Sequence, residues 1–182
     1  MEIRRGGPGD APLLLAMLDG AVAWLAAEGR TGQWGSEPWS DDPRRVERIN
    51  GIARDDEIWV AEVDGRPAGA MAVSSRPPRY VDPIDEPELY ITLLVTDRAS
   101  AGHGVGSALI AKAKDEARAK DVDLLRVDCY RGDDRRLVEY YRRNGFEPAA
   151  EFTVGDWPGQ LLFQQVEPAE VEKPGGGTQP GE

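Results

Sequence analysis

Apolar and polar positions change their spacing several times along this chain, and each change marks an element. Leu14, Leu18, Val22 and Leu25 recur at helical intervals, so a helix is predicted after Asp10, which suits an N-cap, ending near Gly29. Residues 2–4 read as a short first strand. Asp42-Pro43 opens a second helix by the N-cap and N1 preferences. Residues 58–63 and 67–74 are strand-like runs around Asp64-Gly65, a dipeptide suited to tight hairpins, so they should be antiparallel neighbours. The apolar run 89–95 reads as a buried strand, 108–119 as a helix, and 123–130, with Leu124, Leu125 and Val127, as another buried strand. That series implies a right-handed crossover joining parallel strands. A further helix follows at about 133–143, with Leu137, Tyr140 and Tyr141 on its apolar side and Asn144-Gly145 as its stop. The runs 146–154 and 160–166, separated by Gly155 to Gly159, close the chain as a hairpin. The expected result is a mixed sheet, antiparallel in its first half, with one central parallel crossover.

Two loops stand out. Thr31-Gly32-Gln33-Trp34-Gly35-Ser36-Glu37-Pro38-Trp39 holds two tryptophans, which form either a satellite hydrophobic cluster or the wall of a pocket. Residues 76–87 carry four prolines among charges, which rules out a regular element and leaves a long exposed loop. A length of 182 residues suits one domain, taken as 1–166, followed by an acidic Pro/Gly/Glu-rich segment, 167–182, with almost nothing to bury. This tail is expected to be disordered.

The formal charge of −11 argues against nucleic acid or an anionic membrane as partner and favours a small cationic substrate. No segment approaches roughly 18 uninterrupted apolar residues, and the N-terminus lacks the apolar stretch of a signal peptide, so a cytoplasmic location is expected. One cysteine, Cys129, and one histidine, His103, cannot build a zinc site between them. No metal is expected.

The strongest chemical signal is Gly102-His103-Gly104-Val105-Gly106-Ser107-Ala108-Leu109, lying between the apolar strand and the helix that follows. Glycines at alternate positions let backbone N–H groups converge on an anion, and the helix N-terminus adds partial positive charge. A phosphate or pyrophosphate is the natural ligand. A nucleotide-hydrolase loop needs Lys and then Ser or Thr after its last glycine, whereas Gly106 is followed by Ser107-Ala108. A dinucleotide fold could use Asp128 on a ribose, but its glycines should follow the strand at once, and residues 96–101 intervene.

Leu93-Leu94-Val95, the glycine loop, and Tyr140-Tyr141-Arg142-Arg143-Asn144-Gly145-Phe146, in that order, resemble the GCN5-related N-acetyltransferases over nearly the whole chain before the tail. The resemblance implies an α/β (α+β) fold: a mostly antiparallel sheet of about seven strands with the central crossover and about four helices. It implies acetyl-CoA as acyl donor, its pantetheine arm along Leu93, Leu94 and Val95 and its pyrophosphate on Gly102, His103, Gly104, Val105, Gly106 and Ser107. The family's usual Gln or Arg at the head of the loop is Ala101 here, which removes a side-chain contact but not the backbone cradle. Asp134 stands where many relatives have a cofactor-contacting asparagine, and could equally cap the helix. Cys129 at the end of the second parallel strand suits packing better than nucleophilic attack.

In this family's pattern Tyr141 is the general acid for the departing thiolate, a role a phenol with an ordinary pKa near 10 can fill. An amine acceptor attacks the thioester directly. Some relatives carry a glutamate base where Tyr90 stands, so Glu88, two residues earlier and on the same strand face, becomes the candidate base. Gln33, Trp34, Trp39, Tyr80 and Tyr90 are expected to line the acceptor pocket, with Glu37, Asp41, Asp85 and Glu86 on its rim. The implied activity is N-acetylation of a small amine by a monomer or homodimer. The alternatives are a non-catalytic acyl-CoA sensor, suggested by Ala101, Asp134 and Tyr90, and a dinucleotide-binding enzyme.

Overall fold

The computed structural model describes residues 1–168, so the expected tail lies outside the described residues from position 169 on. Strands β1 (Glu2–Arg5), β2 (Glu57–Val63), β3 (Arg66–Ser74), β4 (Leu89–Thr96), β5 (Leu124–Tyr130), β6 (Glu147–Val154) and β7 (Trp157–Gln165) form one sheet in the order β1-β2-β3-β4-β5-β7-β6. All neighbours are antiparallel except β4 and β5. Helices α1 (Ala11–Ala27) and α2 (Pro43–Asp55) cover one face, and α3 (Val105–Ala119) and α4 (Arg136–Arg143) the other.

Leu14, Leu18 and Val22 of α1 are essentially inaccessible beside Ile49 of α2 and Val60 of β2. Burying each of these side chains contributes about 1.5–3 kcal/mol. The helical run Pro8–Ala27 is by length and composition apolar enough to cross a membrane, but it carries Asp10 and Asp19 and inserts this leucine face into the core. On the other face Leu109, Ile110 and Ala113 of α3 pack against Met71, Val73, Leu89 and Leu125. Gly69 lets the start of α3 sit close to the sheet, since a Cβ there would lie 2.6 Å from Val105 Cγ1.

Several local expectations shift. Asp10 does not cap α1; its carboxylate accepts from the Gly7 amide at 3.0 Å and from Arg4 at 2.9 Å. Asp42 does cap α2, accepting from the Arg44 amide at 2.9 Å. Helix α3 begins earlier than its apolar spacing suggests, because Gly104 at φ +68° turns the chain straight into it. Helix α4 begins later, because Gly132 and Arg135 both adopt positive φ before it. The final hairpin turns on Gly155-Asp156 alone, and Trp157 and Pro158 already belong to β7. Pro158 has no N–H to donate, and its carbonyl accepts from the Arg131 amide at 2.9 Å.

One irregularity organises the centre. Ala72 pairs with Leu93, but the adjacent Val73 pairs with Ile91, so Thr92 is an extra residue in β4. A bulge of this kind reverses the side-chain alternation and bends the strand. Leu89 and Ile91 therefore face α3, whereas Leu93 and Val95 face α1 and α2. Parallel pairing with β5 ends at the same point, at Ile91 with Val127. Beyond it the two strands splay, leaving backbone groups on the β4 edge directed into a gap.

Candidate functional site

Two cavities meet at this gap. A cavity of about 360 Å³ runs from Leu94, Val95 and Thr96 of β4 past Arg98, Ser100 and Ala101 to the start of α3, with Trp24 and Leu25 of α1 on one wall and Tyr140 on another. The second, of about 520 Å³, is enclosed by the tryptophan loop, α2, Tyr80, the end of β5 and Trp157. Gln33, Trp34, Leu94, Leu137 and Tyr141 line both.

The smaller cavity suits an anion at its glycine end. The first helical hydrogen bond of α3 runs from the Ala108 amide to the Gly104 carbonyl, at 3.0 Å. The amides of Val105, Gly106 and Ser107 thus precede the helical ladder, and all three residues line the cavity. Their N–H groups and the partial charge of a 15-residue helix converge there. Gly106 lets Tyr140 come close to the helix start, because a Cβ on it would lie 2.1 Å from the Tyr140 hydroxyl oxygen and would displace that phenol. Arg98 stacks over Trp24, its guanidinium 3.6 Å from the ring centre, and supplies a cation on the same wall.

Tyr141 stands where the cavities join. Its ring is 6% exposed and meets Tyr140 and Phe146 edge-on, at centroid distances of 5.5 and 5.6 Å. Burial, with smaller contributions from Cys129, Tyr140 and Asp128, raises its pKa well above that of an ordinary phenol. The proton stays on. Cys129 is also buried, and its thiol is pushed up to about 12, mainly by burial, which fits packing in the α3 core.

Across the gap, Asp128 of β5 lines the larger cavity. Its carboxylate accepts from the Tyr90 hydroxyl at 2.6 Å and from the Tyr80 hydroxyl at 3.2 Å. Burial raises its pKa, and the two phenols and nearby Arg48 only partly oppose that rise. A half-buried carboxylate with raised proton affinity beside a cavity is a recurrent mark of acid-base chemistry. In the sequence Asp128 stands out only as a ribose partner for a dinucleotide fold, because the run Leu-Leu-Arg-Val-Asp-Cys-Tyr reads as a buried strand.

The expected site residues divide accordingly. Leu94, Val95, Gly102, Gly104, Val105, Gly106 and Ser107 line the smaller cavity, and Leu93, Trp39 and Tyr80 the larger. Four lie elsewhere. His103 turns its ring toward the Ser100 carbonyl, at 3.1 Å, and is exposed outside the cavity wall. Asp134 accepts from the Arg136 amide at 3.1 Å and pairs with Arg30, so it serves the start of α4. Tyr90 is wholly buried and reaches the cavity only through Asp128. Glu88 is withdrawn as the base, because it is 5% exposed and both its oxygens are engaged by Arg126. Arg45, Arg48, Tyr130 and Trp157 line the larger cavity without having been expected there.

The chain matches the model of the Acetyltransferase (GNAT) family over residues 21–146. It is 25% identical over 166 residues to the uncharacterized N-acetyltransferase YesJ of Bacillus subtilis, covering 88% of this chain and 87% of that protein. A GNAT-family acetyltransferase from Listeria monocytogenes superposes with a TM-score of 0.67 at 21% identity, covering 91% of this chain and 94% of that one. The Salmonella typhimurium protein yncA, a putative acetyltransferase whose structure contains its cofactor acetyl-CoA, superposes with a TM-score of 0.60 at 17% identity, covering 95% and 98%.

Proposed function

Because the chain belongs to the GNAT acetyltransferase family, we propose that it moves the acetyl group of acetyl-CoA to the primary amine of a small acceptor by direct attack. The observation that carries this reading is the junction itself: Tyr141 lines both cavities, and Asp128 faces one of them across the splayed strands.

Acetyl-CoA supplies an activated acyl carbonyl and a thiolate leaving group. The free amides of Val105, Gly106 and Ser107 would hold its pyrophosphate, and Arg98 would add charge to the same wall. The open edge of β4 beyond Ile91 offers backbone groups to the pantetheine arm. Holding donor and acceptor at one junction supplies much of the acceleration, since the reaction becomes effectively unimolecular.

An alkylammonium must lose a proton before it attacks. Asp128 takes that role in place of Glu88, and the Tyr90 and Tyr80 hydroxyls keep its oxygens oriented. Tyr141 then gives its phenolic proton to the leaving sulfur, which its raised pKa keeps available at neutral pH. No acyl-enzyme is needed, in keeping with the core position of Cys129.

The test is an acetyl-CoA titration followed by a panel of amines. Acetyl-CoA should raise the melting temperature, NAD should not, and at least one amine should release thiol. Stabilisation by acetyl-CoA with no thiol release across the panel would favour the sensor reading.

A further inference from the structure

Charge inside the larger cavity does not follow the acidity of the chain. Helix α2 presents Arg45, Arg48, Ile49 and Ile52 to it, positions three and four apart on one helical face. Arg45 lies over Trp39 at 5.1 Å and donates to the Trp34 carbonyl at 3.3 Å. Arg48 stands at the exposed mouth, 5.8 Å from the centre of the same ring. Among the described residues Arg48 has no carboxylate within salt-bridge distance, and Arg45 reaches only Asp42, at 3.6 Å. Asp128 is the one acidic residue of the lining. The electrostatic influence of Arg48 reaches both Asp128 and Tyr80.

The cavity lining thus holds one carboxylate and two guanidinium groups, with aromatic walls around them. An acceptor carrying only positive charge would satisfy Asp128 and be repelled by the arginines. We propose that the acceptor is a free α-amino acid with an apolar or aromatic side chain. Its ammonium faces Asp128, and its carboxylate is held by Arg48 and Arg45, whose planar forks suit a carboxylate. Its side chain lies against Trp39 and Trp157. The amine and carboxylate of an α-amino acid are adjacent, so one such molecule could meet both the carboxylate and the arginines of this one lining. An internal peptide carbonyl supplies no such anion, so a protein N-terminus fits less well.

This assignment rests on the acetyltransferase reading, and its test separates the two. Turnover is compared for L-phenylalanine, L-phenylalaninamide and phenethylamine, and the same three are titrated calorimetrically into CoA-loaded protein. The acid should be preferred about tenfold or more in kcat/KM and in binding, because a charge-assisted bidentate contact is lost in the other two. Arg48→Gln with Arg45→Gln should erase most of that preference while leaving the KM for acetyl-CoA unchanged. Equal use of all three compounds, or a preference that survives in the double variant, overturns the amino-acid assignment alone. Carboxylate-selective binding without any acetylated product overturns the acetyltransferase reading and retains the acceptor class.

Discussion

Replacing Tyr141 by Phe removes one oxygen and leaves the ring, so it isolates the proton that the phenol would supply. Both edge-on contacts, at 5.5 and 5.6 Å, are made by the ring and survive. Stability should therefore change by no more than about 1 kcal/mol. A general acid contributes roughly 10²–10⁴-fold, equivalent to about 3–5 kcal/mol of barrier, so the expected loss in kcat far exceeds any loss from folding. The assay is continuous thiol release at saturating acetyl-CoA, with the melting temperature measured in parallel. The KM for acetyl-CoA should move little, because the contacts proposed for the pyrophosphate lie on α3. The pKa of Tyr141 is raised well above that of an ordinary phenol, so wild-type kcat should show no alkaline decline from this group up to about pH 10. A Tyr141→Phe enzyme that keeps kcat within about twofold, with its fold intact, refutes the general-acid assignment.

Asp128→Asn should lower kcat/KM by roughly 10²–10⁴-fold. In the wild type a carboxyl whose pKa is raised in the folded protein must be ionised to act, so kcat/KM should fall as pH drops through that raised value, and the variant should lose this acid limb. The same shift means that the folded protein holds the proton more tightly than the unfolded chain does, so the ionised form costs stability above that pKa. The variant's melting temperature at neutral pH should accordingly not fall; a large drop would show that Asp128 is mainly structural. Gly106→Ala should weaken acetyl-CoA binding, measured calorimetrically, because its Cβ would come within 2.1 Å of the Tyr140 hydroxyl oxygen and displace a side chain that lines the same cavity. Leu109→Ala, at a site with no exposure in the α3 core, should cost about 2–5 kcal/mol in denaturant unfolding.

Much of this architecture was legible because local signals agreed with the tertiary arrangement. Asp64-Gly65 turns the β2–β3 hairpin with both residues at positive φ, and Asp42-Pro43 opens α2. The bulge was hidden. Leu89, Ile91, Leu93 and Val95 alternate so regularly that they read as one face, yet Thr92 divides them between the two sides of the sheet. Its hydroxyl is held by Asp56 at 2.6 Å, a partner distant in sequence that no local pattern announces. The pairing of Glu88 was hidden for a similar reason. Glu88 and Tyr90 share a strand face, but Arg126 captures the Glu88 carboxylate, and the Tyr90 hydroxyl donates to Asp128. Both partners sit on β5, a strand whose distance from β4 in sequence concealed their adjacency. The glycine loop lines a cavity as its spacing suggests, while the ring of His103 turns to the Ser100 carbonyl, because backbone geometry follows from glycine spacing whereas the direction of an exposed ring does not.

Acetyl transfer at the junction of the two cavities is measured most directly by mass spectrometry of reactions containing the protein, isotope-labelled acetyl-CoA and the amine panel, with free CoA quantified in the same samples. One labelled acetyl group is expected on the nitrogen of an accepted amine, formed in step with CoA and lost together with it in Tyr141→Phe and Asp128→Asn. Labelled product formed at undiminished rates in both variants, or saturable acetyl-CoA binding with no labelled amine from any member of the panel, would contradict it.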